Sequence, residues 1–368
     1  MQEKTLMNKI IYLDSAASYQ KDDDVIATQM DFLRNHYANS GRGICARSVF
    51  VDKMVATTRK RVATFMNTEP EHIVFSHGTT DAINQIVHML KINTQTIVAV
   101  SDLDHHSARL PFEMSGAKIV LCPLDDNFDI DAKCVPVADV IVVTAMSNVL
   151  GRVQNVAKII AEARLKNPNV IALVDAAQFV VHENIDVNKW DADFVCWSGH
   201  KIGADTGVGV IYIKNPERFA PVVFGGGMVN KVDGDNIVFM NAPDVFEAGT
   251  LPLTQIAGLG CAIDKIEKQR PNLDLIKYMY DELEKISRIK ILSQRGAAML
   301  SFVVEDMHAL DFGALIGARG VCLRVGNMCA SWIHKKMGIN GSIRISVGAY
   351  NTMAEVKETI KYIKDIVK

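Results

Sequence analysis

The sequence predicts an α/β protein: a large domain on a mostly parallel seven-stranded sheet covered by helices, then a smaller α+β C-terminal domain. Two patterns predict it. From about Glu71, short β-branched runs alternate with amphipathic segments, as a parallel sheet with crossover helices requires. After Gly258 the pattern changes to long helices followed by a few strands. The chain's 368 residues suit two domains of roughly 100–200 residues each, expected at 21–261 and at 262–368 with 1–20.

Strands are expected at 72–76, 96–101, 118–123, 140–145, 170–175, 194–198 and 207–213. Between them, 79–90 repeats apolar residues at Ala82, Ile83, Ile86, Val87 and Leu90, and 156–165 at Ile159, Ile160 and Ala163, both at helical spacing. Residues 243–252 form a surface segment before the crossover. Helices 253–269 and 273–286, strands 298–304 and 341–346, and a terminal helix from Thr352 complete the second domain.

Composition narrows the function classes. With 49% hydrophobic and 22% charged residues and a net charge of −2, nothing favours nucleic acid or an anionic membrane as partner. No apolar run approaches the ~20 residues of a membrane helix. The start is polar, Met7 is a second candidate initiator, and the apolar stretch 10–13 stops at Asp14, which leaves no signal-peptide core. A cytoplasmic protein is expected. The seven cysteines, at 45, 122, 134, 196, 261, 322 and 329, form no C-x-x-C pair and read as reduced thiols, mostly buried.

Open α/β sheets bind ligands at the carboxyl ends of their strands, so polar residues that follow apolar runs are the candidates. His77-Gly-Thr-Thr-Asp81 opens a helix where free N–H groups and hydroxyls can hold a phosphate, although Thr-Thr-Asp is equally a plain N-cap. Asp102-Leu-Asp-His-His106 invites a metal, yet adjacent histidines on a strand face opposite ways. Asp175 and Lys201 each end a strand, and a buried carboxylate there needs a cation or donor. Together, a strand-end lysine, aspartate and histidine with a Gly-Thr-Thr helix start are the parts that pyridoxal 5'-phosphate chemistry requires.

Asp175-Ala-Ala-Gln178, Ser198-Gly-His-Lys201, Gly78-Thr-Thr-Asp81, Asp104-His-His106 and Ser147-Asn-Val-Leu-Gly151 resemble the class V aminotransferase family, in particular its SufS-like cysteine desulfurases and selenocysteine lyases. The likeness runs from Tyr12-Leu-Asp-Ser-Ala-Ala17 to Ala349-Tyr-Asn351. It implies fold type I and a pyridoxal 5'-phosphate cofactor attached to Lys201, which later serves as acid and base. The resemblance further implies that Asp175 pairs with the pyridine nitrogen, Gln178 bonds the ring oxygen and His105 stacks on the ring and relays protons. Asn148 would lie near the cofactor oxygen and the substrate. Thr79, Thr80, Ser198 and His200 would hold the phosphate, and Thr250 would reach it from a neighbouring subunit, making a homodimer.

Cys329, in Arg324-Val-Gly-Asn-Met-Cys-Ala330, matches the family's nucleophile segment, and arginines beside a glycine turn are a setting that favours a thiolate. Arg344 is the expected clamp for the substrate carboxylate, because its planar fork binds a carboxylate through two parallel bonds; Arg324 joins the same pocket. The expected activity is removal of sulfur from L-cysteine to give L-alanine and a persulfide on Cys329, passed to a separate acceptor protein. The sequence departs from the family in three places: Cys45 replaces a common histidine, Asn327 and Met328 replace common histidines before Cys329, and Leu251-Pro252 replaces Pro-Asn after Thr250. The alternatives are a selenocysteine lyase, a cysteine-sulfinate desulfinase, another class V lyase or epimerase, a metal hydrolase around Asp102 to His106, or a non-catalytic scaffold.

Overall fold

The computed structural model describes residues 10–41 and 43–368; Met7 and Arg42 lie outside the described residues. All seven expected strands form, in the spatial order Ile73–Ser76, Gly209–Ile213, Phe194–Ser198, Ile171–Asp175, Val140–Thr144, Ile97–Val100, Lys118–Leu121. Gly209–Ile213 runs antiparallel to both of its neighbours, and the other pairings are parallel. Helices cover both faces, so the central strands read as unbroken apolar runs. In Val140–Thr144, for example, Val140 and Val142 face the helices Thr79–Met89 and His106–Met114, whereas Ile141 and Val143 face Ala46–Phe65, Val156–Lys166 and Leu253–Lys268.

A second core lies under a four-stranded antiparallel sheet in the order Ile289–Ile291, Leu300–Val304, Ser342–Ile345, Arg324–Gly326. Leu273–Leu283, Ala309–Gly317 and Met353–Ile366 pack on it. The chain's beginning joins this unit: Ile11–Tyr12 pairs with Val321–Cys322 and Asp14 bridges to Ser346. The expected boundary at 261/262 falls inside the helix Leu253–Lys268, whose Ala262, Ile263 and Ile266 belong to the larger core. We propose the division after Lys268 instead.

Two long N-terminal helices, Asp23–Asp31 and Ala46–Phe65, carry no clear stripe in the sequence. Ala46–Phe65 buries Thr58 and Arg59 among its valines, which breaks the apolar periodicity. The buried Arg59 is matched by Glu247, with Nη1–Oε1 at 2.6 Å and Nη2–Oε2 at 2.8 Å. Glu247 Oε1 also accepts from Phe75 N at 2.7 Å, so residues 243–252 are tied into the core rather than lying wholly on the surface. Nor are the cysteines mostly buried: Cys45, Cys134, Cys322 and Cys329 are exposed, each lying at a turn, a helix end or a short edge strand. Glu247→Ala leaves the Arg59 charge buried and unpaired; a loss of about 3–5 kcal/mol is expected, read as a lower denaturant midpoint of the apoprotein.

Candidate active site

Four neighbouring parallel strands end on one side of the sheet, and the turns after them line a cavity of about 350 Å³ that the second unit roofs. Of the expected residues, Thr79, Thr80, His105, Asn148, Asp175 and Gln178 line it, as do Ser198, His200, Lys201, Arg324, Cys329 and Arg344. Thr250 does not; it is exposed beyond this chain's own cavity.

At one end of the cavity, the helix Thr79–Met89 starts at Gly78 with no side-chain cap. Gly78 has φ +139°, and a Cβ there would stand 3.2 Å from Ser198 Oγ, so only glycine allows the close approach. Ser198 Oγ accepts from Thr79 N at 2.8 Å and lies 2.8 Å from Thr79 Oγ1. An uncapped helix start with two hydroxyls beside it can receive an anion.

Lys201 follows Ser198 through a short 3₁₀ turn, and its Nζ donates to Ala16 O at 2.7 Å and Ala17 O at 3.2 Å. Burial, helped by the Arg344 charge, pushes its amine down to about 8. Asp175 Oδ1 accepts from Ala177 N at 2.9 Å, and burial pushes its carboxyl up to about 6. Gln178 Nε2 donates to Ala16 O at 2.8 Å, and its buried Oε1 has no partner among the described residues.

His105 and His106 stand at a helix start rather than on a strand, and they still diverge. His105 caps the helix His106–Met114: its Nδ1 accepts from Ser107 N at 3.2 Å and lies 2.7 Å from Ser107 Oγ, which holds the ring at the cavity wall. Burial, then the Lys201 charge, pushes His105 down to about 4, so the ring is neutral at pH 7. His106 turns away, with Nε2 3.1 Å from Ser331 Oγ. Asp104 is fully buried and accepts from Ser101 N at 2.7 Å and Thr144 Oγ1 at 2.7 Å, while Asp102 faces Arg109 and Lys336. Asp102, Asp104, His105 and His106, weighed in the sequence as an alternative metal site, thus each serve a different partner.

Cys329 is exposed and lies in a tight turn between Arg324–Gly326 and the helix Ser331–Lys336. Met328 and Cys329 have φ +50° and +53°, a left-handed pair that non-glycine residues adopt only under tertiary restraint. Asn148 Nδ2 supplies one restraint, donating to Met328 O at 2.8 Å, and His106 N supplies another, donating to Cys329 O at 2.7 Å. Arg344 sits on Ser342–Ile345, 3% exposed, donating from Nη1 to Asn148 O at 2.7 Å and from Nη2 to Asp14 Oδ1 at 3.1 Å. Arg324 Nη2 donates to Asp14 Oδ2 at 2.6 Å.

Of the departures, Met328 lines the cavity and Cys45 does not; Cys45 begins the helix Ala46–Phe65, where a hydrogen bond with Ser48 lowers its thiol. Sequence reasoning missed Asp14, Thr144 and Ser107. Thr144 carried a usable signal, as the polar residue that ends an apolar strand; Asp14 stood in a matched motif without an assigned role.

The model of the Aminotransferase class-V family matches residues 11–359. The chain belongs to that family. Class-V relatives include a probable cysteine desulfurase of Vibrio cholerae, 32% identical over 97% of this chain and 93% of its own length. A cysteine desulfurase of Pectobacterium atrosepticum is 31% identical over the same shares. Among solved structures, an apo cysteine desulfurase from Thermococcus onnurineus superposes with a TM-score of 0.91 at 28% identity, covering 98% of this chain and 95% of that one. The cysteine desulfurase CsdA from Escherichia coli gives 0.89 at 27% identity, covering 98% and 96%. Members of the class-V family generally depend on pyridoxal 5'-phosphate.

Removing the Asn148 amide with Asn148→Ala deletes one restraint on the left-handed pair. Amide exchange at 327–330 is expected to quicken about five- to tenfold, as the loss of one hydrogen bond of about 1 kcal/mol predicts, and mass spectrometry of exchanged peptides checks it.

Proposed function

We propose that this chain is a pyridoxal 5'-phosphate-dependent cysteine desulfurase that converts L-cysteine and the Cys329 thiol into L-alanine and a Cys329 persulfide. The observation that carries the proposal is that Lys201, Cys329 and Arg344 open onto one cavity, an amine, a thiol and a guanidinium drawn from both units of the fold.

The residues present fit the cofactor. The uncapped helix start at Thr79 with Ser198, Thr80 and His200 would take its phosphate, and the orphaned Gln178 Oε1 and Asn148 Oδ1 are buried polar atoms in need of a ligand. Asp175, its carboxyl raised by burial, would be held as a carboxylate by a protonated pyridine nitrogen. Neutral His105 lies where a flat ring would stack. When bound, the cofactor supplies an electron sink for bonds broken at the substrate.

Lys201 holds the cofactor and then moves the proton at the substrate α-carbon. A depressed amine suits both tasks: at pH 7.5 roughly a quarter of a group with pKa 8 is neutral, against about a thousandth at 10.5. Arg344 orients the substrate carboxylate. Cys329 Sγ bonds to the substrate sulfur as the substrate's Cβ–S bond breaks, and the thiol proton and a proton from the site complete alanine. The tethered turn gives Cys329 short reach, so a separate acceptor protein comes to it. Exposed Tyr37, Ile44, Val49 and Phe50 support a homodimer in which Thr250 completes the partner's phosphate site. A reducing cytoplasm suits a thiol that must stay free. Among the described residues, no helix is long and apolar enough to cross a membrane.

Purified wild type should show an absorbance band of bound cofactor and release alanine from L-cysteine. Lys201→Ala should lose the band, and Cys329→Ala should keep it while alanine formation falls by more than a hundredfold. A band with no cysteine turnover would sink the desulfurase reading and direct attention to Met328 and Asn327. Because the neutral amine is the reactive form, capture of the cofactor by apoprotein should speed up with pH through about 8 and level off above it, followed by stopped-flow absorbance. Capture that keeps accelerating to pH 10 would contradict a depressed Lys201.

A further inference from the structure

We infer that His334 is a positioning residue of the reaction: its imidazole ties the exit of the Cys329 turn to the strand that carries Arg344, and so fixes where the nucleophile stands relative to the substrate clamp. The inference rests on the desulfurase reading above and deepens it. His334 lies on the helix Ser331–Lys336, is 1% exposed and stays out of the cavity wall. Its Nδ1 stands 2.9 Å from Ala330 O and its Nε2 2.9 Å from Ser342 Oγ. A carbonyl oxygen only accepts, so Nδ1 carries the proton and Nε2 takes the Ser342 hydroxyl hydrogen. Burial lowers the basicity of the ring and favours this neutral form.

Both ends of the turn converge on Ser342. Gly326, before the turn, pairs with Ser342 in the sheet, and Ala330, after it, reaches Ser342 through the imidazole. The entry is tightly packed: a Cβ on Gly341, at φ +103°, would stand 3.0 Å from Gly326 Cα. In the middle of the turn, Met328 O takes Asn148 Nδ2 and Cys329 O takes His106 N, both from the large unit. Ala330 O opens the helix with one lone pair and gives the other to His334. The large unit thus holds the middle of the turn, while His334 holds its exit to Ser342–Ile345, the strand of Arg344.

His334→Leu with Ser342→Ala removes the bridge and orphans no hydroxyl. His334→Asn with Ser342→Ala keeps a donor for Ala330 O, since an asparagine amide spans the same step on another helix of this chain, from Asn84 Nδ2 to Thr80 O at 2.8 Å. In the cofactor-loaded full-length protein, the leucine pair should lower kcat for alanine formation roughly tenfold per bound cofactor. KM for L-cysteine should stay within about twofold, because the partners of Arg344 are untouched. The asparagine pair should regain about threefold in kcat over the leucine pair, and amide exchange at 327–330 should quicken about fivefold in the leucine pair. A role in stability alone would lower the melting temperature and leave kcat per bound cofactor unchanged. A folded leucine pair that turns over like wild type therefore overturns the inference, as does an asparagine pair no better than leucine. Should the leucine pair fail to fold, Ser342→Ala by itself deprives Nε2 of its donor and must quicken exchange at 327–330; no change there overturns the inference too. Wild type that forms no alanine from L-cysteine would defeat the desulfurase reading, while exchange at 327–330 would still decide whether His334 holds the turn.

Discussion

A guanidinium buried to 3% exposure must find acceptors, and Arg344 finds them across the seam between the two units: the Asn148 carbonyl in the large unit and the Asp14 carboxylate near the start of the chain. Much of the site hangs on this demand. Asn148, fixed by Arg344 at its carbonyl, is free to use its amide on the Met328 carbonyl and so holds the nucleophile's turn. Asp14, fixed by both arginines, leads into the Ala16 and Ala17 carbonyls that receive Lys201 and Gln178. A single desolvated charge thereby links the first strand, the strand ends of the main sheet and the Cys329 turn.

Desolvation also explains why the titrating groups behave as they do. The strands that end at Thr144, Asp175 and Ser198 are buried on both faces, so whatever follows them starts its path out of water. Burial is the leading cause for the lowered Lys201, the lowered His105 and His200, and the raised Asp175 and Asp104. A neutral imidazole, a partly neutral amine and a carboxyl seeking a cation follow from one architectural fact rather than from separate adjustments.

Elements whose apolar pattern is set by a single neighbourhood were legible in the sequence. All seven strands of the main sheet were, the central ones because both faces demand apolar residues and the edge strand Lys118–Leu121 because its short run Ile119-Val120-Leu121 stands between Lys118 and Pro123. Ala46–Phe65 was not, since its buried face includes Arg59, acceptable only because Glu247 arrives from far along the chain. The hairpin of Val229–Asp233 and Asn236–Phe239 was missed although Asp233-Gly234 is a turn signal; its strands are exposed, with Val232 opposite Ile237, so no core imposes a regular apolar alternation on them.

At the site, the sequence marked the lysine, the strand-end aspartate and the helix start as candidates, because each follows an apolar run whose end is visible in one dimension, while the cysteine was picked out by its match to the family's nucleophile segment. Tertiary structure decided which of them meet, and it added Asp14, whose role exists only when Arg324 and Arg344 converge on it from some three hundred residues away. It also separated Asp102, Asp104, His105 and His106, neighbours in sequence that the end of one strand and the start of one helix send to different partners. Spacing along a chain records local geometry, but the sharing of a buried charge depends on distances that only packing sets.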